Sequence, residues 1–401
     1  MKPQNLAMIV VGSVVGFFAL AGLAIVVALN LFPENENRRH RFAGPPIVKQ
    51  LPMAANVAEL PDMAQIQMPD WNVGGFAAPV AQEKLKEIRG PGAVARDFTV
   101  SGPHSHDNLT LFLIHGQDTM KDKQIVTLHD ALKSGQAVVH DTRTNTLTVE
   151  NRSGSDLYIQ SGDIVKGGTQ DRTIQYDLLV PANSGRVPLQ AFCVESGRSF
   201  ARGGEPVAVF GGSTEQLPGK NLRLANLHKQ SQNAVWQGVS KIQKDLQCSL
   251  GDSVQSALST TSLQLTLEHN RLGQAVQDYL NDLSPILESK KDVIGIIVAI
   301  NGRVHSADIY ASADLCRNLY PKLLKAGAIE ALAERNVPRV GLPDAKSLQA
   351  MLVANDRAPA REQAVNNRIR MIRQEGQANV LFDTCDRSHN NLVIHRCILV
   401  K

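Results

Sequence analysis

The apolar residues of this chain change their period near residue 216, and this change restricts the possible folds more than any other feature. From residue 98 to about residue 212, short apolar runs alternate with clusters of Gly, Asn, Asp, Ser and Pro, which is typical of strands and turns. Beyond that point, residues 221–247 and 253–287 carry apolar positions at helical spacing. The sequence therefore predicts an α+β fold, with a β-rich sandwich or partly open barrel followed by helices and a mixed C-terminal sheet.

Individual elements can be placed within both parts. Strands are expected at residues 109–115, 136–140, 146–149, 157–160, 173–180 and 187–194. A short helix over residues 127–133 is expected to end before Gly135. An apolar run at residues 293–300 precedes Asn301-Gly302, which predicts a hairpin with residues 304–310. Helices are then expected at residues 313–334 and in parts of 345–375, with closing strands at residues 379–382 and 392–400.

Residues 6–31 form an uncharged apolar run that fits a membrane span. No Asp, Glu, Lys or Arg lies between Lys2 and Glu34. As a helix rising about 1.5 Å per residue, the run would be roughly 39 Å long, against a bilayer hydrocarbon core of about 30 Å. We therefore expect a single-pass transmembrane anchor within residues 1–32. Gly12 and Gly16 form a GxxxG pattern through which two such helices can dimerise.

The residues after this run suggest an orientation and a linker. Arg38, Arg39 and Arg41 slightly favour a cytoplasmic position for the large domain, by the positive-inside rule. Residues 33–92 are rich in proline and lack a sustained apolar period, which is typical of an extended tether. The globular domain is expected at residues 93–401, with a β-rich part at 93–215 and an α+β part at 216–401.

Composition narrows the possible partners. The net charge of +4 and the aromatic content of 4% argue against a nucleic-acid partner, which needs a basic surface and stacking side chains. Five cysteines without a CxxC pair indicate neither a disulfide framework nor a zinc site. His104 and His106 form an HxH pair, but no third ligand is evident. No metal and no cofactor is therefore expected.

The segment SGDIVKGGTQDR, residues 161–172, is the first candidate for a ligand site. Gly167 and Gly168 can adopt positive φ and bring backbone N–H groups close to anionic oxygens. Arg172 can grip a phosphate or carboxylate with two hydrogen bonds, and Gln170 suits a ribose or a base edge. Asp163 can accept from a sugar hydroxyl or act as a base. The alternative is a tight turn closed by a local ion pair.

The segment CVESGR, residues 193–198, is the second candidate. Cys193 and Glu195 would face the same side of a strand, Gly197 lets the chain turn, and Arg198 projects from the corner. If strand 187–194 pairs with strand 173–180, this segment meets Arg172 at one end of the sheet. The alternative is a buried Glu–Arg pair that fixes the corner, with the cysteine as a small core residue.

Several segments of the chain, taken in order, are similar to the motifs of a known domain family. They are SGDIVKGGTQDR, DLLVPANSGRVPLQAFCVESGR, QNAVWQGV, INGRVHSADIY and LVIHRCIL. Together they resemble the ARG-and-Rhodanese-Phosphatase-associated protein domain, in which ARG stands for ADP-ribosylglycohydrolase, over roughly residues 95–400. The matching positions are Asp163, Gly167, Gly168, Gln170, Arg172, Cys193, Glu195, Gly197 and Arg198, with Trp236 and Asp308 as weaker matches. The chain departs from the family pattern at Ser199 and after Tyr310, where aromatic residues are usual.

The family has no established activity, and its name records an association with enzymes of ADP-ribose and phosphate metabolism. The leading hypothesis is a membrane-tethered domain that binds a phosphate-bearing nucleotide or an ADP-ribose-like ligand. Arg172 and Arg198 would hold phosphates in that case. A structural or protein-interaction module without a ligand is the alternative. A second alternative is a hydrolase of such a ligand, with Glu195 or Asp163 as the general base.

Overall fold

The computed structural model describes residues 86–88, 98–121, 123–142 and 146–401. The expected anchor at residues 6–31, with Gly12 and Gly16, and the tether except for residues 86–88 lie outside these ranges. None of the helices within the described ranges is long and apolar enough to cross a membrane.

The strands are numbered in chain order. They are β1 Lys86–Ile88, β2 Thr99–His106, β3 Leu109–His115, β4 Ile125–Thr127, β5 Ala137–Asp141, β6 Thr146–Asn151, β7 Asp156–Ile159, β8 Asp163–Gly167, β9 Arg172–Ile174, β10 Leu178–Val180, β11 Arg186–Cys193, β12 Val209–Gln216, β13 Val293–Ile300, β14 Arg303–Tyr310, β15 Ala360–Ala364, β16 Ile369–Glu375, β17 Asn379–Asp386 and β18 Leu392–Val400.

The α-helices are likewise numbered in chain order. They are α1 Leu128–Lys133, α2 Lys220–Leu224, α3 Gln232–Leu250, α4 Leu263–Leu267, α5 Asn270–Leu283, α6 Ala313–Ala333 and α7 Ala345–Val353. A π-helical turn, Ala225–Lys229, continues α2. As predicted, α1 ends before Gly135, which has a φ of +71°.

One antiparallel sheet spans both halves of the chain, in the order β1-β15-β16-β17-β18-β14-β13-β3-β2. The predicted hairpin of β13 and β14 is confirmed. Its turn residues, Asn301 and Gly302, have φ values of +53° and +81°, as a two-residue hairpin turn of this kind requires. The strands β2 and β3 come from the β-rich part of the sequence, yet they join this sheet, where β3 pairs with β13 and β2 pairs with β3.

The remaining strands of the first half form a barrel and a small sheet. The barrel is closed in the order β11-β6-β5-β12-β8-β9, and the small sheet has the order β10-β7-β4. The predicted single strand at residues 173–180 is wrong, because β9 joins the barrel and β10 joins the small sheet. The chain leaves the barrel at Asp177, whose buried carboxylate accepts from the Ser161 amide and contacts His395 of β18.

The helices cover the two faces of the large sheet. Leu111 and Leu113 of β3 point into a core shared with α6, which contributes Leu319. The alternate residues Phe112 and Ile114 point into a second core, shared with α7. The barrel has its own apolar interior. These layers confirm the predicted α+β class, with a closed barrel as its β-rich element.

Candidate functional site

The two sequence segments that carry candidate residues meet at one end of the barrel. The strands β11 and β9 pair antiparallel, and their register places Cys193 opposite Arg172. This pairing was the condition for the two segments to form one site. The arrangement gathers Arg172, Gln170, Cys193, Glu195 and Arg198 within a few residues of the strand ends.

Two glycines form the floor of this region. Gly167 and Gly168 have φ values of +122° and +56°, which disfavour any residue with a Cβ. A Cβ on Gly168 would also lie 2.6 Å from the ring of Phe210 and 2.9 Å from the Asp141 carboxylate. The backbone therefore approaches its neighbours here more closely than another residue would allow.

Glu195 and Arg198 form a fully buried pair. The guanidinium donates from Nε to Glu195 Oε1 at 2.8 Å and from Nη2 to Oε2 at 2.7 Å. Its other hydrogen bonds go to the carbonyl oxygens of Gly167, Gly168 and Phe200. Every N–H direction of Arg198 thus has a protein acceptor, so this arginine holds the floor in place.

Glu195 has no free lone pair that faces solvent. The residue is completely buried, and it also accepts from the Asp171 amide at 3.2 Å. Burial alone would raise the pKa of Glu195, but the hydrogen bonds from Arg198, Ser259 and the Asp171 amide, together with the charge of Arg198, lower the pKa below its usual value. The carboxylate is therefore ionised at neutral pH and engaged by its own protein.

A second buried pair, Asp171 with Arg202, lies beside the first. Arg202 donates to both oxygens of Asp171, at 2.7 and 2.6 Å, and Ser262 donates to Oδ2 at 2.8 Å. Asp171 is fully buried, and Arg202 also reaches to within 3.7 Å of Glu195. We call these four residues, Asp171, Glu195, Arg198 and Arg202, the ionic cluster. The two positive and two negative charges of these four residues balance, and Arg202 also donates to the half-buried Glu205 at 2.9 Å.

Arg202 was not singled out from the sequence. It lies on the loop after CVESGR, where no strand or helix period marks it as buried. The only indication in the sequence that Arg202 belongs to the cluster is its positive charge. Asp171 needs a cation once it is buried, and Arg202 is the next arginine along the chain after Arg198.

Arg172 is also buried, but it stands apart from the ionic cluster. Only 7% of the residue is exposed. Its Nη1 donates to Gln170 Oε1 at 3.3 Å and contacts the Cys193 Sγ. No carboxylate of the described residues forms an ion pair with it. Burial lowers the pKa of Arg172, and the charge of Asp141 only partly compensates.

The helix α3 covers the strand end next to Arg172. Gln232 accepts from the Cys193 amide and donates to its carbonyl, both at 2.8 Å, as a neighbouring strand would. One turn further, the Trp236 indole donates to the Glu195 carbonyl at 3.1 Å. Gln170, Cys193 and Trp236 are each half-buried. We call Gln170, Arg172, Cys193 and Trp236, with the two-glycine floor, the barrel-end site. The exposed Gly197 turns the chain beside it, with a φ of +80°.

Asp163 does not belong to the barrel-end site. It begins β8, whereas Gly167 ends it, so the two lie about 13 Å apart along the strand. Its carboxylate is paired with Lys322 of α6 and accepts from the Gln160 amide at 3.0 Å. Although β9 places Arg172 opposite Val165, two residues from Asp163, the Asp163 carboxylate is engaged by Lys322 and the Gln160 amide rather than by Arg172.

Asp308 lies in a different buried group, which joins the large sheet to the chain leaving the barrel. His395 contacts Asp177 through Nδ1 at 2.6 Å and Asp308 through Nε2 at 3.1 Å. Arg223 donates to both oxygens of Asp308, at 3.0 and 2.5 Å. We call Asp177, Arg223, Asp308 and His395 the His395 cluster.

The charges of the His395 cluster also balance. Burial alone would lower the pKa of His395, but the charge of Asp177 and hydrogen bonds to both carboxylates raise the pKa to about 9. Burial opposes ionisation of Asp177 and Asp308, yet the nearby cations hold both pKa values below the usual range. Because carboxylates only accept, both ring nitrogens of His395 must donate, so the imidazole is charged.

His305, Glu330 and Glu334 form another group that the sequence did not reveal, and their ligand atoms are close enough to hold a metal ion. The ring nitrogens of His305 already lie 2.9 Å from Glu330 and 3.7 Å from Glu334. Glu330 also accepts from the Lys220 amide at 2.8 Å. The three side chains therefore already contact one another, with the half-buried Glu334 at the edge of the group.

Comparison with known proteins identifies the family of this chain but no individual relative. No curated protein and no solved structure matches the chain. The family model of the ARG and Rhodanese-Phosphatase-superfamily-associated Protein domain matches residues 97–399, which include the barrel, the large sheet and both buried clusters. By that match, the chain belongs to the ARG and Rhodanese-Phosphatase-superfamily-associated Protein domain family.

Proposed function

We propose that this chain is a membrane-tethered domain that binds a phosphate-bearing nucleotide or an ADP-ribose-like ligand at the barrel-end site. The single observation that carries the proposal is the environment of Arg172. A buried guanidinium is normally compensated by a carboxylate, as Arg198 and Arg202 are. Arg172 has neutral partners, so an anionic ligand would supply the missing charge.

The surrounding residues suit such a ligand. Arg172 can bind a phosphate through two parallel hydrogen bonds, and Gln170 can turn from the guanidinium to a ribose hydroxyl or base edge. The amides of Gly167 and Gly168 already donate to Asp171 and to the Pro206 carbonyl, so the expected anion-binding role of these N–H groups is not part of the proposal, and the glycines only shape the floor. In this proposal Arg198 is a positioning residue, since its donors are occupied by Glu195 and by carbonyl oxygens.

The membrane part of the proposal rests on sequence. Residues 6–31 would anchor the chain, residues 33–92 would tether it, and the basic residues after the anchor slightly favour a cytoplasmic domain. Gly12 and Gly16 would allow two anchors to pair. No nucleic acid is part of the proposal.

The test is a melting-temperature measurement on the full-length chain with ADP-ribose, NAD, ATP or inorganic phosphate. A ligand at 100 times its dissociation constant should stabilise the folded state by about 2.7 kcal/mol. We expect Arg172→Ala to lose this shift. Arg186→Ala is the matched control, because Arg186 is an exposed arginine at the start of β11, the strand that pairs with the strand of Arg172, β9. A shift that survives Arg172→Ala would refute the site.

A structural module without a ligand is the second candidate, and the closed ionic cluster favours it. The cluster neutralises itself and ties the ends of β8, β9 and β11 to the loop that holds Arg202. This candidate predicts that Arg172→Ala lowers the melting temperature and that none of the four ligands raises it. The same result would contradict the ligand-binding proposal.

The geometry gives little support to a hydrolase. A general base must reach the proton that it abstracts. Glu195 is fully buried and engaged by Arg198, and Asp163 is paired with Lys322. If Glu195→Gln were nevertheless to abolish hydrolysis of a ligand while keeping its affinity, the hydrolase hypothesis would replace the binding proposal.

A further inference from the structure

A separate cavity of about 410 Å³ lies between α1, β12, α5 and α6. This volume is within the range of sites that take small organic molecules. The cavity is open to solvent where Asn318 and Thr214 are exposed. None of the residues of the barrel-end site lines it.

Two lysines from one face of α6 line this cavity. Lys322 and Lys325 are three residues apart, so their side chains leave the helix as neighbours. Lys322 is paired with Asp163 of β8, and Lys325 with Glu215 of β12. The lysine side chains are 12% and 25% exposed, whereas those of the two acids are 7% and 4% exposed.

In both ion pairs, the positively charged partner is the one that faces the cavity. The lysines line the cavity, and their carboxylate partners do not. Each ammonium has three donors and uses one on its carboxylate, so two donors per lysine remain for a ligand. A low-dielectric wall with its positive ends inward favours an anionic group, although the pairs themselves are neutral.

One acidic residue, Asp130, also lines the cavity, and its carboxylate already accepts a hydrogen bond from the protein. Asp130 lies in the first turn of α1, where its Oδ2 accepts from the Thr127 hydroxyl at 2.7 Å. It is an exposed residue at the solvent side. Its charge is therefore screened by water, in contrast to the partly buried lysines.

Part of the cavity lining is apolar. Leu280 of α5 and Leu319 and Pro321 of α6 line it together with the lysine residues. Such surfaces bind an apolar body, while the few polar groups fix its orientation. From these contacts we propose that the cavity binds a small organic anion, in which a carboxylate or a phosphate monoester is carried on an apolar or aromatic body.

The proposal can be tested with three probes of similar shape on the full-length chain. Benzoate and phenyl phosphate carry the two candidate anions, and benzamide is a neutral counterpart of benzoate. We expect one of the anions to bind at least about tenfold more tightly than benzamide in calorimetric titrations. The tighter anion identifies the head group. Equal affinity for benzamide and both anions would overturn the proposal.

Two variants connect binding to the cavity. Lys325→Gln combined with Glu215→Gln removes one ion pair without leaving a lone buried charge, and should weaken the preferred anion about tenfold. Asn318→Trp fills the exposed entrance and leaves both ion pairs intact, so it should abolish binding without lowering the melting temperature. Unchanged affinity in Asn318→Trp would refute the site.

The matched control is Arg172→Ala in the barrel-end site. It should leave the affinity for the preferred anion unchanged, because Arg172 does not line this cavity. If Arg172→Ala instead abolished anion binding, the probes would be reporting on the barrel-end site, and the cavity proposal would fail while the proposed function stood.

Discussion

At the scale of single residues, arginines at one end of the barrel differ in what surrounds them. Arg198 and Arg202 face buried carboxylates, whereas Arg172 faces an amide oxygen and a thiol. The sequence shows that all three residues are arginines, but it does not show which groups surround them. Their roles depend on partners that come from other strands and loops, and these partners distinguish Arg172, which we propose binds a ligand, from the two arginines that are paired with carboxylates.

Arg202→Leu should be one of the most destabilising single substitutions in the barrel. It removes the cation that donates to both oxygens of the fully buried Asp171 carboxylate and leaves Arg198 at 3.9 Å; breaking a buried pair in this way typically costs about 3–5 kcal/mol of unfolding free energy. Urea denaturation would measure the change. The control is Arg271→Leu, where an exposed pair with Asp252 is worth about 1 kcal/mol or less. Equal losses in the two variants would mean that the ionic cluster is not a stabilising unit.

At the scale of elements, local patterns predicted the hairpin of β13 and β14 and the short helix α1. Each is determined by its own turn or cap residues, such as Asn301-Gly302 and the Thr127 cap. The split of residues 173–180 into β9 and β10 was not predictable in this way. The chain leaves the barrel at Asp177, whose partner His395 is 218 residues away in the sequence. No local pattern near residue 177 therefore shows where the strand ends.

The hairpin turn offers a sharp test of element stability. Gly302 has a φ of +81°, and a Cβ there would lie 2.1 Å from the Val340 carbonyl oxygen. Gly135, after α1, has a φ of +71° but open space around it. Gly135→Ala should therefore cost about 1–2 kcal/mol of unfolding free energy, the price of the left-handed backbone alone. Gly302→Ala should cost clearly more, and similar losses would show that the turn can shift to relieve the overlap.

At the scale of the whole molecule, the His395 cluster joins the chain leaving the barrel to the large sheet. Its members come from the β9–β10 connection, α2, β14 and β18. The sequence predicted both layers but could not predict this junction, because each member alone is an ordinary polar residue. Asp308 stands out in the sequence only through the family resemblance, and no local pattern marks His395 as a charged residue of a buried cluster.

The charge of His395 makes the stability of this junction depend on pH. Its folded pKa of about 9 lies above the ordinary value of 6.5. A raised histidine pKa contributes stability that is fully present below pH 6.5 and is lost as pH rises through 9. Burial raises the pKa values of Tyr310 and Cys397, which face the ring or Arg223, so neither contributes charge in this interval.

We therefore expect the free energy of unfolding to fall by roughly 1–3 kcal/mol between pH 6.5 and 9 through this group. The measurement is urea denaturation across this interval for the natural chain and for His395→Gln. The variant should be less stable near neutral pH and should lose the additional slope, because glutamine does not titrate. Parallel curves would mean that His395 is neutral in the folded chain. In that case the two carboxylates would be compensated by Arg223 alone, and the junction would depend on that arginine rather than on a charged histidine.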